Sequence, residues 1–379
     1  MTKLIILAPL SPSVRTPSQI SDVTKAITDF LNIISRGPWP STIKADMTAA
    51  IDGLDETGLR LLGSDYEDLQ TFTSLPSPLP PTSIDIRPFY LRTDSPEPES
   101  CDDTDPTHTL LPLPHLSLSP LYSTLHFPNN IKSTVTSYLL NTLLLSSLGL
   151  KKEICSLNRL ILLTGPPGTG KTTLALSVAQ RLSEILGSGI LIRIHSSSLF
   201  SKWFSESGKK VDMLFNAVKD ISEDYRLAVV LVDEVESLVS SRNNESMIED
   251  GVRGVNAVLT GLDMIKNLDG VVVICTSNLV EGSRVDEAFL SRCDGVWEVE
   301  GPGGEGVGRI LRETIDELKR VNVLTVKDDD KLNSKLLEAG KRGTGKSGRE
   351  IRKAVVKMWS EMGGGMGIEA SDVLDALWS

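Results

Sequence analysis

Two rhythms of apolar residues divide the chain. From Arg159 onward, short and nearly unbroken apolar runs (LILLT, ILIRI, VVLVD, VVVICT) alternate with glycine turns and helix-like stretches such as Thr172 to Leu186. A strand that is apolar at every position suits a parallel sheet covered by helices on both faces, so the pattern predicts a doubly wound α/β domain. After Gly301 the apolar positions recur at helical spacing around Val307 to Val321, Asp330 to Ala339, Ser347 to Met362 and Ala370 to Trp378. That spacing predicts a small helical domain in which strands stop. The N-terminal part opens with a strand over Leu4 to Ala8 and a helix over Ile20 to Ile34, with Ser21 and Asp22 as start signals. Ile131 to Leu148 reads as a helix just before the second domain, and the acidic, proline-rich stretch Ser95 to His108 reads as an exposed loop.

Composition sharpens the division. Prolines crowd between Pro76 and Pro128, whereas glycines concentrate after residue 150. The predicted organisation is a divergent N-terminal α+β domain over 1–120, a connector helix over 121–157, a large domain over 158–301 and a helical lid over 302–379. The 379 residues carry a formal charge of −11, which argues against a duplex nucleic acid as main ligand, because phosphate binding needs a basic face. No apolar run approaches a membrane span, so no membrane partner is expected. Four cysteines without CxxC pairing and four histidines indicate neither a disulfide framework nor a zinc site, and the expected setting is reducing and unsecreted.

The pattern G-x-x-x-x-G-K-[ST] occurs twice. Gly165 to Thr172 (GPPGTGKT) follows an apolar strand and opens a helix, so backbone N–H groups and the helix N-terminus converge on phosphate oxygens. The cradle is Gly165, Pro166, Pro167, Gly168, Thr169, Gly170, Lys171, Thr172 and Thr173, with Lys171 reaching the β and γ phosphates of ATP and Thr172 on Mg²⁺. Gly340 to Ser347 (GKRGTGKS) follows a polar helix with no strand to aim it and is read as a chance match. VVLVDEVE ends an apolar strand in carboxylates that fit two tasks: Asp233 holds Mg²⁺ and Glu234 takes the proton of the water attacking the γ phosphate. The strand VVVICT ends at Ser277-Asn278, where the Asn278 amide would orient that water. Arg292, after a short helix over Asp286 to Leu290, and Arg349, at the start of a lid helix, are guanidinium candidates for transition-state charge. The segment Leu199 to Ser205 (LFSKWFS) lacks the periodicity of a core helix, and its Trp203 is read as a loop aromatic that needs a partner.

GPPGTGKT, LVDE, TSN, an arginine after the fourth strand and a helical lid with its own arginine resemble the AAA+ ATPases. HSSSLFSKWFSESGKKV, LVDEVESL and VRGVNAVLTGLD further resemble the pachytene checkpoint protein 2 homologue family, ATPases that remodel HORMA-domain proteins. The resemblance covers roughly residues 121 to 360. It implies ATP and Mg²⁺ as cofactors and a sensor role for Asn278. It also implies a second sensor at Arg349 in cis and a finger at Arg292 given to a neighbouring subunit of a homohexamer. Lys202, Trp203 and Phe204 become a pore loop gripping a threaded polypeptide, with the 241–252 loop as a second. HORMA-domain clients, reached directly or through a HORMA-type adaptor, a meiotic or spindle checkpoint role, and a nuclear, cytoplasmic or chromosome-associated location are implied as well. A nucleic-acid motor or clamp loader on the same fold and a regulatory ATP-binding module without turnover are the rival readings.

Overall fold

The computed structural model describes residues 4–10, 14, 16–34, 60–62, 84–99, 107–150, 152–195, 203–236, 248–266, 268–278 and 286–378. Its centre is a seven-stranded sheet. In chain order its strands are β4 (Glu97–Glu99), β5 (His108–Leu113), β6 (Leu160–Thr164), β7 (Gly189–Ile194), β8 (Ala228–Val232), β9 (Val271–Thr276) and β10 (Gly295–Glu298). Across the sheet they run β10-β6-β9-β8-β7-β5-β4. The five strands from β10 to β7 are parallel, and β5 and β4 extend the edge antiparallel.

The unbroken apolar runs are explained by two cores. Ile161, Leu163, Val229, Leu231, Val272 and Ile274 face one way, onto the helices Ile131–Ser147 and Lys171–Leu186. Leu160, Leu162, Val230, Val232, Val273 and Cys275 face the other, onto Trp203–Glu223 and Ile248–Ile265. Alternate residues of one strand thus feed opposite cores, leaving no polar positions in the run. Those last two helices cross closely enough that a Cβ on Gly261 would lie 2.0 Å from the Phe215 ring.

Several expectations are revised. The acidic stretch 95–108 contains β4, and β5 follows at His108, so residues grouped with the N-terminal part from sequence build the edge of the large sheet. The first helix starts at Pro17 rather than Ile20. Thr16 and Gln19 exchange hydrogen bonds across the first turn (Thr16 N–H to Gln19 Oε1 3.0 Å, Gln19 N–H to Thr16 Oγ1 3.3 Å), a capping box with proline at the first helical position. That helix accompanies a separate three-stranded sheet of β1 (Leu4–Leu10), β2 (Arg60–Leu62) and β3 (Ile84–Tyr90), ordered β2-β1-β3. Arg87 on β3 donates to the carbonyl of Ile185 at 2.9 Å, joining this sheet to the helix 171–186.

Strands do not stop at Gly301. A short parallel pair, β11 (Leu324–Thr325) and β12 (Ile368–Glu369), ties together the lid helices Gly304–Arg320, Asp329–Arg342, Gly348–Glu361 and Ala370–Ala376 around their own apolar core. Among the described residues no helix is long and apolar enough to cross a membrane.

Candidate functional site

The site lies at the C-terminal ends of β6, β8 and β9, in the crevice where strand order reverses beside β6. The loop after β6 turns on residues that only glycine fills comfortably. Gly165 has φ +138°, and a Cβ there would stand 2.5 Å from the carbonyl oxygen of Val299. Gly168 has φ +83°, and a Cβ would meet Ser347 Oγ at 2.9 Å. The helix 171–186 begins at once, so its unpaired N–H groups face the loop's concavity. The Lys171 ammonium donates to the carbonyls of Gly165 and Pro166, each at 2.8 Å. Burial lowers its pKa, Glu236, Asp233 and Glu234 pull it back, and Arg349 lowers it further. The ammonium attracts a polyphosphate, whereas the three carboxylates repel one unless a bound cation offsets their charge.

Thr172 Oγ1 donates to Asp233 Oδ1 at 2.8 Å, bringing the loop and the end of β8 together. Thr276, at the end of β9, donates to the same oxygen and accepts from the Glu234 backbone N–H at 3.1 Å. Glu234 itself has φ +55°, a left-handed conformation that costs a non-glycine residue about 1–3 kcal/mol and recurs at active sites. The Thr276 hydroxyl and the bond from Val235 N–H to the Thr276 carbonyl (2.8 Å) hold it there. A hydroxyl and a carboxylate already in contact form the hard-oxygen donor set that Mg²⁺ takes, one or two protein ligands with phosphate oxygens completing the shell. The residues therefore fit MgATP.

Asn278 stands beyond β9, and its backbone N–H and side-chain amide both donate to Glu236 Oε1, at 3.1 and 2.9 Å. Arg349 enters from the lid: its backbone N–H reaches the Gly168 carbonyl at 3.4 Å, so this arginine belongs to the same chain's loop. The second GKS sequence follows the helix 329–342, not a strand. Its Ser347 caps the helix 348–361, accepting from Glu350 N–H at 3.3 Å, and brings that helix against the real loop.

Arg292 lies elsewhere. Its guanidinium pairs with Asp263 (Nε to both carboxylate oxygens at 3.0 Å, Nη2 to Oδ2 at 2.8 Å), and Nη1 donates to the Ala288 carbonyl at 2.7 Å. Asp294 N–H bonds the Leu160 carbonyl, so Arg292 sits at the N-terminal ends of β10 and β6. Its own phosphate loop is at the other end of the five-residue β6, about 16 Å along the strand.

Lys202 lies outside the described residues, as does most of the 241–252 loop, whose last residues begin the helix Ile248–Ile265. Trp203 and Phe204 do not continue a loop: they form the first turn of the helix Trp203–Glu223. Sequence reasoning missed four residues. Thr276 and Glu236 stand inside TSN and DEVE, but nothing local gives them a role. Arg193 on β7 donates to Asp233 Oδ2 at 3.0 Å, and Ser347 had been assigned to a chance motif.

A strand-loop-helix phosphate cradle, a Thr-Asp pair and a lid arginine on a β10-β6-β9-β8-β7 parallel core define an AAA+ ATPase module. The model of the AAA family, "ATPase family associated with various cellular activities", matches residues 161–300. The chain is 37% identical over 275 residues to the putative pachytene checkpoint protein 2 of Caenorhabditis elegans, covering 69% of this chain and 63% of that protein. It is 34% identical over 316 residues to the human pachytene checkpoint protein 2 homolog, covering 76% and 72%. The solved structure of C. elegans PCH-2 superposes with a TM-score of 0.78 at 28% identity, covering 100% of this chain and 97% of that one. A structure titled as an Escherichia coli HORMA:CdnC:Trip13 complex shares the fold at a TM-score of 0.58 and 16% identity, over 71% of this chain and 93% of the other. The chain belongs to the pachytene checkpoint protein 2 family.

Proposed function

We propose that the protein is an ATP-hydrolysing remodeller of HORMA-domain proteins that works as a ring, the homohexamer its family resemblance implies. The observation that carries the catalytic part is the convergence of Lys171, Thr172, Asp233 and Thr276 beside a strained Glu234. In this reading the loop's N–H groups and Lys171 bind the phosphates. Thr172 and Asp233 hold Mg²⁺, which when bound would neutralise charge on the phosphate oxygens. The Glu234 carboxylate accepts a proton from the attacking water, and Asn278 orients that water.

The place of Arg292 supports the ring. A guanidinium at the far end of β6 from its own loop serves a phosphate only if a neighbouring subunit brings one, and a head-to-tail contact that closes on itself is a ring. Arg349, against Gly168, acts in cis. HORMA-domain clients, with or without an adaptor, are supported by the fold shared with the HORMA:CdnC:Trip13 complex, and Lys202, Trp203 and Phe204 are the proposed grip on them. A checkpoint role and a nuclear or cytoplasmic location belong to the same proposal.

Phosphate release from the wild-type protein, with and without a purified HORMA-domain protein, tests the reading. Turnover stimulated by that client is expected. Stimulation by DNA in its place would favour a nucleic-acid motor, and binding without turnover a regulatory module.

A further inference from the structure

Glu236 has no part in the chemistry assigned above, yet its carboxylate is set deep in the site. Oε1 accepts from two groups of one residue, the backbone N–H and the side-chain amide of Asn278, at 3.1 and 2.9 Å. Oε2 is buried with no hydrogen-bond partner among the described residues. A carboxylate oxygen committed to a buried place without a partner costs stability, and such an exception calls for a function.

We propose that Glu236 is a positioning residue that sets the polarity of the Asn278 amide for ATP hydrolysis. A carboxylate only accepts, so the Asn278 group facing Glu236 must be its NH₂, and the amide oxygen is thereby turned away as an acceptor. The difference matters to the nucleophile. An attacking water has two protons and must keep a lone pair aimed at phosphorus. One proton goes to Glu234 and the other needs a second acceptor, which the Asn278 oxygen supplies. An amide turned the other way would offer N–H donors to the water's lone pair and compete with attack. Holding backbone and side chain with the same oxygen also fixes the amide's position at the end of β9.

The inference rests on the proposed role of Asn278, and the experiment separates the two. ATP affinity and single-turnover hydrolysis are measured on the assembled full chain for wild type, Asn278→Ala, Glu236→Ala and Glu236→Gln. Glu236→Ala removes the acceptor and releases the amide. Its turnover is expected to fall about 10-fold, the loss of one oriented hydrogen bond, with the ATP dissociation constant within about 3-fold of wild type. Glu236→Gln keeps an oxygen at the Oε1 position, so it should recover most of the turnover that alanine loses. Asn278→Ala should be at least as impaired as Glu236→Ala, and the double variant no worse than Asn278→Ala alone, because both act through one amide. An impaired Asn278→Ala beside an unimpaired Glu236→Ala overturns the inference and leaves the reading of Asn278 intact. An unimpaired Asn278→Ala overturns both. Loss of ATP binding and turnover together in Glu236→Ala, not recovered by glutamine, makes Glu236 a structural residue and overturns its positioning role.

Discussion

Gly165→Ala and Gly187→Ala form a matched pair that separates backbone strain from close approach. Both glycines have a left-handed φ, +138° and +94°, so each alanine introduces backbone strain. At Gly187 a new Cβ meets nothing within 4 Å, and the cost is conformational alone, about 1–3 kcal/mol. At Gly165 the Cβ would stand 2.5 Å from the Val299 oxygen and 3.3 Å from its carbonyl carbon. That partner cannot rotate away. Val299 is backbone that follows β10, and its N–H bonds the Thr164 carbonyl at 2.7 Å, so relief requires β10 to part from β6. Overpacking of this kind costs about 1–3 kcal/mol beyond a strain of about 1–3 kcal/mol, or about 2–6 kcal/mol in all. At about 2–4 °C per kcal/mol for a domain of this size, Gly187→Ala should lower Tm by about 2–12 °C and Gly165→Ala by about 4–24 °C, the decrease at Gly165 being the larger of the two by the overpacking cost. Differential scanning fluorimetry without nucleotide gives both values, and the same scan with ATP gives the ligand shift. Gly187→Ala should keep the shift and Gly165→Ala should lose it, because the clash falls on the first residue of the phosphate loop, at the end of β6. Equal decreases in Tm would refute the argument from the Val299 contact.

Glu234→Gln should keep ATP binding while hydrolysis falls at least about 10²-fold, measured by nucleotide binding and phosphate release on one preparation. Arg292→Ala should bind ATP and not hydrolyse it, and mixing it with Lys171→Ala should recover partial activity in mixed rings, since some interfaces then pair an intact arginine with an intact loop. Trp203→Ala should retain its Tm and basal turnover yet lose client conversion; a matched loss of Tm would assign the indole to the core instead. The Asp263 carboxylate is pushed up by burial, but its bonds to Arg292 and Lys266 outweigh this and hold its pKa below the ordinary 3.8. A depressed folded pKa contributes stability that is present in full above 3.8 and is lost as pH falls through the lower folded value. The Tm gap between wild type and Asp263→Asn should therefore be constant from about pH 8 to pH 5 and close only in acid.

Much of the candidate site was legible because its parts are short and local. GPPGTGKT needs only the strand before it and the helix after it to work, and LVDE needs only a strand end. Contacts between segments remote in the chain were not legible. Thr276 and Glu236, though inside TSN and DEVE, have no evident task until β9 lies beside β8 and they meet Asp233, Glu234 and Asn278. Arg193 carries no motif, and it reaches Asp233 only because β7 is the neighbour of β8 in the sheet. β5 was hidden for a different reason: His108 and Pro112 break the apolar run, and Pro112 is tolerated because β4 pairs only His108 to Leu110, leaving the Pro112 end of the strand with β7 alone as its neighbour.

The sequence by itself determined the elements that repeat a local pattern: the apolar strands, the helices at helical spacing, the glycine loop and the carboxylates at a strand end. Its two copies of G-x-x-x-x-G-K-[ST] also held a discriminating signal, since only one follows a strand. Tertiary structure decided which end of the sheet each arginine occupies. In sequence Arg292 follows a short helix and Arg349 opens a longer one, and neither context says which phosphate loop it faces. Packing of the lid brings Arg349 to Gly168, while the register Gly295 to Ile161 holds Arg292 at the opposite end of β6. Strand direction and register are properties of pairing between distant segments, so no window of the chain contains them, and on them depends whether a guanidinium faces its own phosphate loop or a neighbour's.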